Sequence, residues 1–328
     1  MNNHILVPLI DLNAIKFPQE YYDWLSNWLS KNDSALEDGN ASSSLCLQSC
    51  LAEIILYGKP KRDWDGVWSL YLTDDDGNPL AYSEKYGQRL YKFGNQWKQT
   101  PVHAIYTKYW FDMLQGITSK NLKRYSDLII NFIQPNGWIY NPKVSETSIR
   151  TRMKSEYLMS LAMGLEIIEK SGQLDTYVST FVSTLSEFPL TGYISAEYFR
   201  LRSLEILKRI NLLPAGLVTV LQDCQVGQGY CDFALKNKVD EYMGTAKRTS
   251  RDIALHSPLA TLQAYYISRY FQDTDKEVVS SQALKHGKYL EKDPMGIPAF
   301  KIRDLLIPFG TDISPIEIIS ATWLRALI

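Results

Sequence analysis

Two stretches of this sequence concentrate positive charge at predicted helix starts. The six cations are Arg150, Arg152, Lys154, Lys247, Arg248 and Arg251. A helix N-terminus already carries partial positive charge, so each cation there is unfavourable by roughly 0.3–1 kcal/mol unless an anion is close. Free N–H groups and guanidinium groups that converge on one point suit phosphate or carboxylate. We therefore predict that these residues bind an anion, with Tyr157 as a further ligand-binding residue.

The expected ligand is a phosphate-bearing small molecule, such as a nucleotide or a diphosphate. The end of a nucleic acid is a further option, with Tyr or Trp stacking on the bases, although the overall charge argues against it. No particular cofactor is indicated. The alternative is that the cations form ion pairs with acidic neighbours, which are Glu146, Glu156, Asp240, Glu241 and Asp252.

Glu156 and Glu197 form a second candidate group, because they occupy matching places in two similar segments and each is followed by Tyr. Adjacent packed helices lie about 8–10 Å apart. Two carboxyl groups near that separation could act as the acid and the base of an inverting glycosidase. The alternative is that each Glu caps a helix or pairs with an arginine such as Arg152 or Arg200.

His256 opens a predicted helix and precedes Ser257 and Pro258. An imidazole can move protons or bind a metal near neutral pH, so His256 is a candidate catalytic residue; a capping or surface histidine is the alternative. The sequence contains no GxSxG, Walker, HExxH or Rossmann glycine pattern. The hydrolase, NTPase, metalloprotease and dehydrogenase classes therefore lose their usual support.

Metal sites are considered at two places. Asp74, Asp75 and Asp76 would need Gly and a carboxylate where Pro79 and Lys85 stand to form a calcium loop, so a hairpin turn is favoured. The four cysteines are Cys46, Cys50, Cys224 and Cys231. Their spacing lacks the usual close CxxC pairs of zinc sites. We interpret them as buried thiols and assign no metal.

The elements that must position these residues are mainly helical. A strand is predicted at 5–12, helices at 18–32 and 44–57, and a small β insert of two hairpins at 64–99. From there the predicted helices are 102–115, 119–133, 147–170, 173–187, 194–210, 215–223, 249–271, 274–290 and 314–327. We predict N-terminal helices with the insert over 1–100 and a helical-repeat domain with one continuous core over 101–328.

Four segments share a sequence pattern in which a turn with glycine leads into a helix that is apolar on several sides. Examples are "NGWIY" before "SEYLMSLAMGLEII" and "TGYIS" before "AEYFRLRSLEIL". Helices that are apolar on most sides must be enclosed. A closed ring of helical hairpins, an α/α toroid, encloses them better than an open curved stack does. In such a ring the inner helices run parallel, so both basic helix starts would meet at one opening.

This repeat resembles that of the prenyltransferase and squalene-cyclase toroids over residues 120–328. The resemblance implies the fold and not a reaction. The acid motif of the cyclases is matched only by "DDDG" at 74–77, in a predicted hairpin. "NKVDEY" at 237–242 is similar to the surroundings of the zinc aspartate of the prenyltransferases, but Tyr242 stands where a cysteine is needed. His256 resembles their zinc histidine by its place in the repeat.

The amino-acid composition limits the classes of protein to which this chain can belong. The chain has 328 residues, 45% of them hydrophobic, and a net charge of −1, which is typical of a soluble globular protein and not of one that coats nucleic acid. No secretory signal or apolar span is evident, so we expect a cytoplasmic location and no membrane contact.

Three functions follow as hypotheses, and whether the chain is an enzyme is left open. The first is a toroid that binds an anionic small molecule in its cavity, as a transferase, cyclase or lyase if it is catalytic. The second is a non-catalytic scaffold, in which the β insert and the aromatic residues Trp64, Trp68 and Trp97 meet a partner protein. The third is the inverting glycosidase with Glu156 and Glu197.

Overall fold

A computed structural model describes residues 19–90, 102–115, 118–140, 153–226, 229–230, 263–264 and 266–271. This part of the chain is mainly helical, as predicted. Its helices are α1 (Gln19–Glu37), α2 (Ser43–Tyr57), α3 (Trp64–Tyr71), α4 (Glu84–Leu90), α5 (Val102–Leu114), α6 (Thr118–Ile130), α7 (Met153–Lys170), α8 (Val178–Glu187), α9 (Ile194–Ile206) and α10 (Leu217–Cys224). None of these helices combines the length and the apolar character that crossing a membrane requires.

Helix α2 begins and ends where its sequence predicts. The Ser42 hydroxyl accepts a hydrogen bond from the Leu45 N–H at 3.1 Å and so caps the first turn. Gly58 stops the helix in the left-handed conformation, with its N–H bonded to the Ile54 carbonyl at 2.8 Å. Most of the helix between them is buried, as a helix that is apolar on several sides must be.

The predicted β insert at 64–99 is wrong in its first half. Residues 64–71 form α3, which Asp63 caps by accepting a hydrogen bond from the Gly66 N–H at 3.0 Å. Trp64 and Trp68 are four residues apart and both buried, so the aromatic residues that favoured a strand instead line one face of a helix. The second hairpin, around Gly94 and Asn95, falls mostly outside the described residues, with only its start in α4.

One turn occurs twice, after α3 and after α6. Antiparallel bridges join Thr73 to Pro79 and Ile133 to Ile139. Each turn has a glycine with positive φ four residues after the first bridge residue: Gly77 at 76° and Gly137 at 79°. Each also has the same backbone hydrogen bonds, at 2.8–3.1 Å. The turn of the first predicted hairpin therefore has the same backbone geometry as the turn predicted from "NGWIY".

The remaining predicted helices are confirmed where they are described. The segment 173–187 divides into a 3₁₀ turn (Leu174–Tyr177) and α8, and 194–210 divides into α9 and a second 3₁₀ turn (Ile210–Leu212). After α10, the short strands β1 (Gln225–Val226) and β2 (Gly229–Tyr230) pair antiparallel. Residues 266–268 are helical. The predicted strand at 5–12 and the helices at 274–290 and 314–327 lie outside the described residues.

The chain divides into two compact units. One comprises 1–8, 149–162 and 185–328, and the other comprises 9–148 and 163–184. The predicted boundary at residue 100 stays a prediction, because 91–101 are not among the described residues. In the second unit, α2 packs against α1, α3 and α5, and α5 also packs against α6. In the first unit, α9 packs against α10.

A buried carboxylate fixes the connection from α2 to α3. Glu53 is 5% exposed. One of its oxygens accepts the Lys61 N–H at 2.7 Å, the Arg62 N–H at 3.1 Å and the Trp64 indole N–H at 2.8 Å. Arg62 in turn pairs with Asp33 of α1 at 2.9 Å. This group of contacts positions α3 on α2.

We expect Glu53→Gln to lower the free energy of unfolding by about 1.5–3 kcal/mol, because an amide oxygen replaces a charged acceptor for one buried and two part-buried donors. Urea unfolding followed by circular dichroism measures this change. Glu169→Gln is the matched control, since Glu169 is exposed and its replacement should cost less than about 0.5 kcal/mol. Equal unfolding midpoints for the two variants would contradict the role given to Glu53.

Candidate functional site

Most of the predicted anion-binding residues lie outside the described residues. This is so for Arg150, Arg152, Arg248 and Arg251, and also for the candidate catalytic residue His256. The anion site therefore stays a prediction.

Three other predicted site residues belong to α7, which begins at Met153. Lys154 and Glu156 lie in its first turn, but the structure does not describe their side chains. Tyr157 is half-buried in the same helix. The close approach of the Glu156 and Glu197 carboxyl groups therefore stays a prediction.

Glu197 is buried among hydrogen-bond donors in the described part of the chain. Its side chain is 0% exposed. One oxygen accepts the backbone N–H and the hydroxyl of Thr191, both at 2.8 Å, and the other accepts the Arg200 Nε–H at 2.6 Å. These contacts fit the arginine-pairing alternative given above. Both oxygens of this carboxylate are occupied and its side chain is buried, so the contacts do not favour the glycosidase.

Arg200 extends this arrangement to the connection between α8 and α9. The guanidinium is 1% exposed. It donates to the carbonyl oxygens of Leu185, Phe188 and Pro189 at 2.8–3.1 Å. Carbonyl groups at a helix end and in a buried turn need such donors. The Glu197–Arg200 pair therefore closes the turn that starts α9.

A surface cleft of about 530 Å³ lies in the second unit. Three chain segments form it: the turn after α1, the end of α3 with the turn that follows it, and the start of α4. The lining residues that matter below are Asp38, Gly39, Leu70, Tyr71, Asp75 and Glu84. The volume is within the range of ligand pockets, about 300–1,000 Å³.

Ser83 joins two of these segments. Its hydroxyl donates to the Gly39 carbonyl at 2.7 Å and accepts the Ala41 N–H at 3.1 Å. The Ser83 N–H also bonds to the Ala41 carbonyl at 2.8 Å, and Ser83 is 1% exposed. The turn after α1 is thus fixed to the start of α4, across more than forty residues of sequence.

Gly39 allows the turn after α1 to approach α3. Its φ is 72°, a conformation that favours glycine. A Cβ atom placed there would lie 3.0 Å from a ring carbon of Tyr71. The close approach sets the position of the Tyr71 ring in the wall of the cleft.

Hydrogen bonds within the turn after α3, and others from α6, fix the conformation of this turn. Asp74 accepts the backbone N–H groups of Asp76 and Asn78 at 3.1 and 2.6 Å. Arg124 donates to the Asp76 carbonyl at 2.7 Å and to the Asn78 side chain at 3.1 Å. The aspartate run therefore forms a turn, as the sequence favoured.

The cleft carries excess negative charge. Four carboxylate residues and one lysine line it: Asp38, Asp74, Asp75, Glu84 and Lys85. The Lys85 ammonium donates to the Asp38 backbone carbonyl at 2.8 Å. Asp38, Asp75 and Glu84 are exposed, and none of the three has an ion-pair partner among the described residues.

The cysteines that the structure describes are buried thiols, as interpreted. Burial raises the pKa of Cys46 and of Cys50 to about 12, so both are protonated near neutral pH. Cys224 is also free and buried, and Cys231 lies outside the described residues. Within the described ranges, no group of three or more His, Cys, Asp or Glu side chains is placed to hold a metal ion.

Sequence reasoning missed the exposure of Leu70 because it assigned 67–72 to a strand. On a helix, Trp64, Trp68 and Leu72 follow one another at four-residue spacing, and all three are buried. Leu70 lies two residues from both Trp68 and Leu72, on the opposite face, and it is 70% exposed. A helical periodicity would have identified it as an exposed apolar residue.

Comparison with protein-family models, with curated proteins and with solved structures finds no match to this chain. The resemblance to the toroids therefore stays a prediction.

We expect Glu197→Gln and Arg200→Met each to lower the free energy of unfolding by about 3–5 kcal/mol, because each leaves a buried partner unpaired. The double variant should cost less than the sum of the two single changes. Urea unfolding of all four proteins gives this cycle. Arg209→Met, at an exposed arginine, is the control. Additive costs, or single costs no larger than that of the control, would rule out the structural role.

Proposed function

We propose that this chain is a non-catalytic interaction scaffold and that a partner protein binds it at the cleft around Leu70. The exposed position of Leu70 carries the proposal, since a leucine that is 70% exposed beside a concave surface leaves apolar area in water. The scaffold hypothesis from the sequence named Trp64, Trp68 and Trp97 as the exposed contacts. Trp64 and Trp68 are buried, at 2% and 1% exposure, and Leu70 of the same helix replaces them. Trp97 lies outside the described residues.

The openness of the site supports a protein partner over a small molecule. A pocket for a small molecule encloses about 70–90% of the ligand surface. A wall residue as exposed as Leu70 leaves one side of the cleft open to water. A partner surface can cover such a side, and an apolar contact surrounded by polar groups is the usual arrangement at protein interfaces.

The expected contribution of Leu70 can be stated as a change in affinity. Full burial of a leucine side chain is worth about 1.5–3 kcal/mol. Loss of that contact should raise the dissociation constant about tenfold to hundredfold. The fold should not change, because an exposed side chain contributes little to stability.

Site-directed photo-crosslinking tests the proposal. A benzophenone amino acid replaces Leu70 in one version of the full chain and Tyr57 in another, and both are irradiated in the cells that make the protein. Tyr57 belongs to the same unit and is 44% exposed, but it does not line the cleft. We expect a protein that is joined at position 70 and not at position 57.

The crosslinked protein is then purified, and its affinity is measured by calorimetry against the wild type, Leu70→Ser and Tyr57→Ser. We expect only Leu70→Ser to weaken binding, by tenfold or more. Identical crosslinks at both positions, or equal affinities for the two serine variants, would overturn the proposal.

Binding of an anionic small molecule is a second candidate function. It is favoured by α7, whose described residues begin at Met153, because Lys154 lies near that end and Arg150 and Arg152 precede it in the sequence. Cations at that end are unfavourable without an anion. The site further depends on a toroid arrangement that brings Arg248 and Arg251 to the same opening.

Thermal-shift measurements with nucleotides, diphosphates and sugar phosphates test this second function. We expect at least one ligand class to raise the melting temperature of the wild type and to act less on Arg150→Ala/Arg251→Ala. Arg89→Ala/Arg209→Ala removes the same charge at two exposed arginines of the described structure and serves as the control. If no ligand stabilises the wild type more than the first variant, the anion site does not exist.

A further inference from the structure

We infer that the partner segment that binds the cleft is positively charged and carries an apolar side chain that contacts Leu70. The inference rests on the proposed function and deepens it, because it assigns the chemistry of the partner. It comes from the charges that line the cleft and from their arrangement around one apolar residue.

The net charge of the cleft is negative, because four carboxylates and one lysine line it. Asp74 is occupied by N–H groups of its own turn, and Lys85 is bonded to the Asp38 backbone carbonyl. Asp38, Asp75 and Glu84 remain exposed to solvent. The net charge of the whole chain is only −1, so the excess at the cleft is local and selects a cationic partner.

The three exposed carboxylates come from separate segments, and the segments are fixed relative to one another. Ser83 holds Glu84 near the turn that bears Asp38, through its hydrogen bonds to Gly39 and Ala41. Arg124 holds the turn that bears Asp75, through its bond to the adjacent Asp76 carbonyl. These contacts fix the backbone that bears the carboxylates, so that backbone loses little freedom when a ligand binds.

Leu70 supplies an apolar contact, which the carboxylates cannot provide. Exposed ion pairs contribute only about 0–1 kcal/mol each, so three carboxylates in water would bind a cation weakly. A Lys or Arg side chain, however, can lay its apolar stem along Leu70 and Tyr71 and direct its charge to the rim. A segment with Lys or Arg around Leu or Phe matches this pattern. Phosphate-bearing ligands do not, because the rim repels them.

Synthetic peptides test the inference directly. Three sets of ten-residue peptides share a central Leu and differ in the flanking residues, which are Lys and Arg, Ser and Gly, or Asp and Glu. Binding to the full chain is measured by fluorescence anisotropy at about 50 mM and about 300 mM salt. We expect the basic set to bind at least tenfold more tightly than the other two and to weaken severalfold at the higher salt concentration.

Charge reversal assigns the binding to the cleft. We expect Asp75→Lys/Glu84→Lys to weaken the basic peptides at least tenfold. Asp23→Lys/Asp175→Lys makes the same charge change at two exposed residues of the same unit that do not line the cleft, and it should have a much smaller effect. Unfolding midpoints of both variants confirm that the fold is kept.

Equal binding of the neutral or acidic set, no binding of the basic set up to about 1 mM, or equal effects of the two double variants would overturn the inference. A different result would contradict the proposed function: no crosslinked partner whose binding depends on Leu70. A partner that depends on Leu70 and is insensitive to Asp75→Lys/Glu84→Lys would leave the scaffold standing and remove only its preference for basic segments.

Discussion

Buried carboxylates are the constraint on which the described structure depends, because a charge withdrawn from water is tolerated only where hydrogen-bond donors surround it. Glu53 accepts hydrogen bonds from the segment before α3 and from Trp64 at the start of α3. Glu197 accepts them from the segment before α9 and from Arg200 within α9. In both cases the acid lies in a helix and fixes a turn of the chain. The helices supply the apolar surface, and these acids determine how the chain connects them.

The repeated turn shows how the connections give the cleft its shape. The turn after α3 and the turn after α6 have the same bridge, the same glycine conformation and the same backbone hydrogen bonds. The first of them provides Asp75 to the cleft, and Arg124, from the helix before the second turn, holds it in place. The first copy of this turn thus contributes to the wall of the candidate site, and α6, which leads into the second copy, contributes its support.

Most of the helical architecture could be predicted from the sequence, because its signals are local. Ser42 and Gly58 mark the two ends of α2, and the structure has the helix between them. The first predicted hairpin failed for a physical reason. Trp64 and Trp68 favour a strand by residue type, yet their spacing places both on one helix face, and burial of two indoles outweighs propensity. The residues of the turn after α3 can form the same turn within a hairpin or between two helices, so their sequence does not distinguish the two.

The cleft could not be predicted, because the residues that form it are brought together by contacts that no local pattern encodes. Ser83 and Gly39 are 44 positions apart, and only the folded chain joins them. The acidic rim has a local origin nonetheless. Asp, Gly and Asn occur in tight turns for conformational reasons, and two turns that meet beside one cleft bring their carboxylates to it. The negative charge at the cleft is therefore a consequence of how the chain reverses direction. The exposed leucine has no such conformational reason, and this is why Leu70, more than the acids, indicates a binding surface.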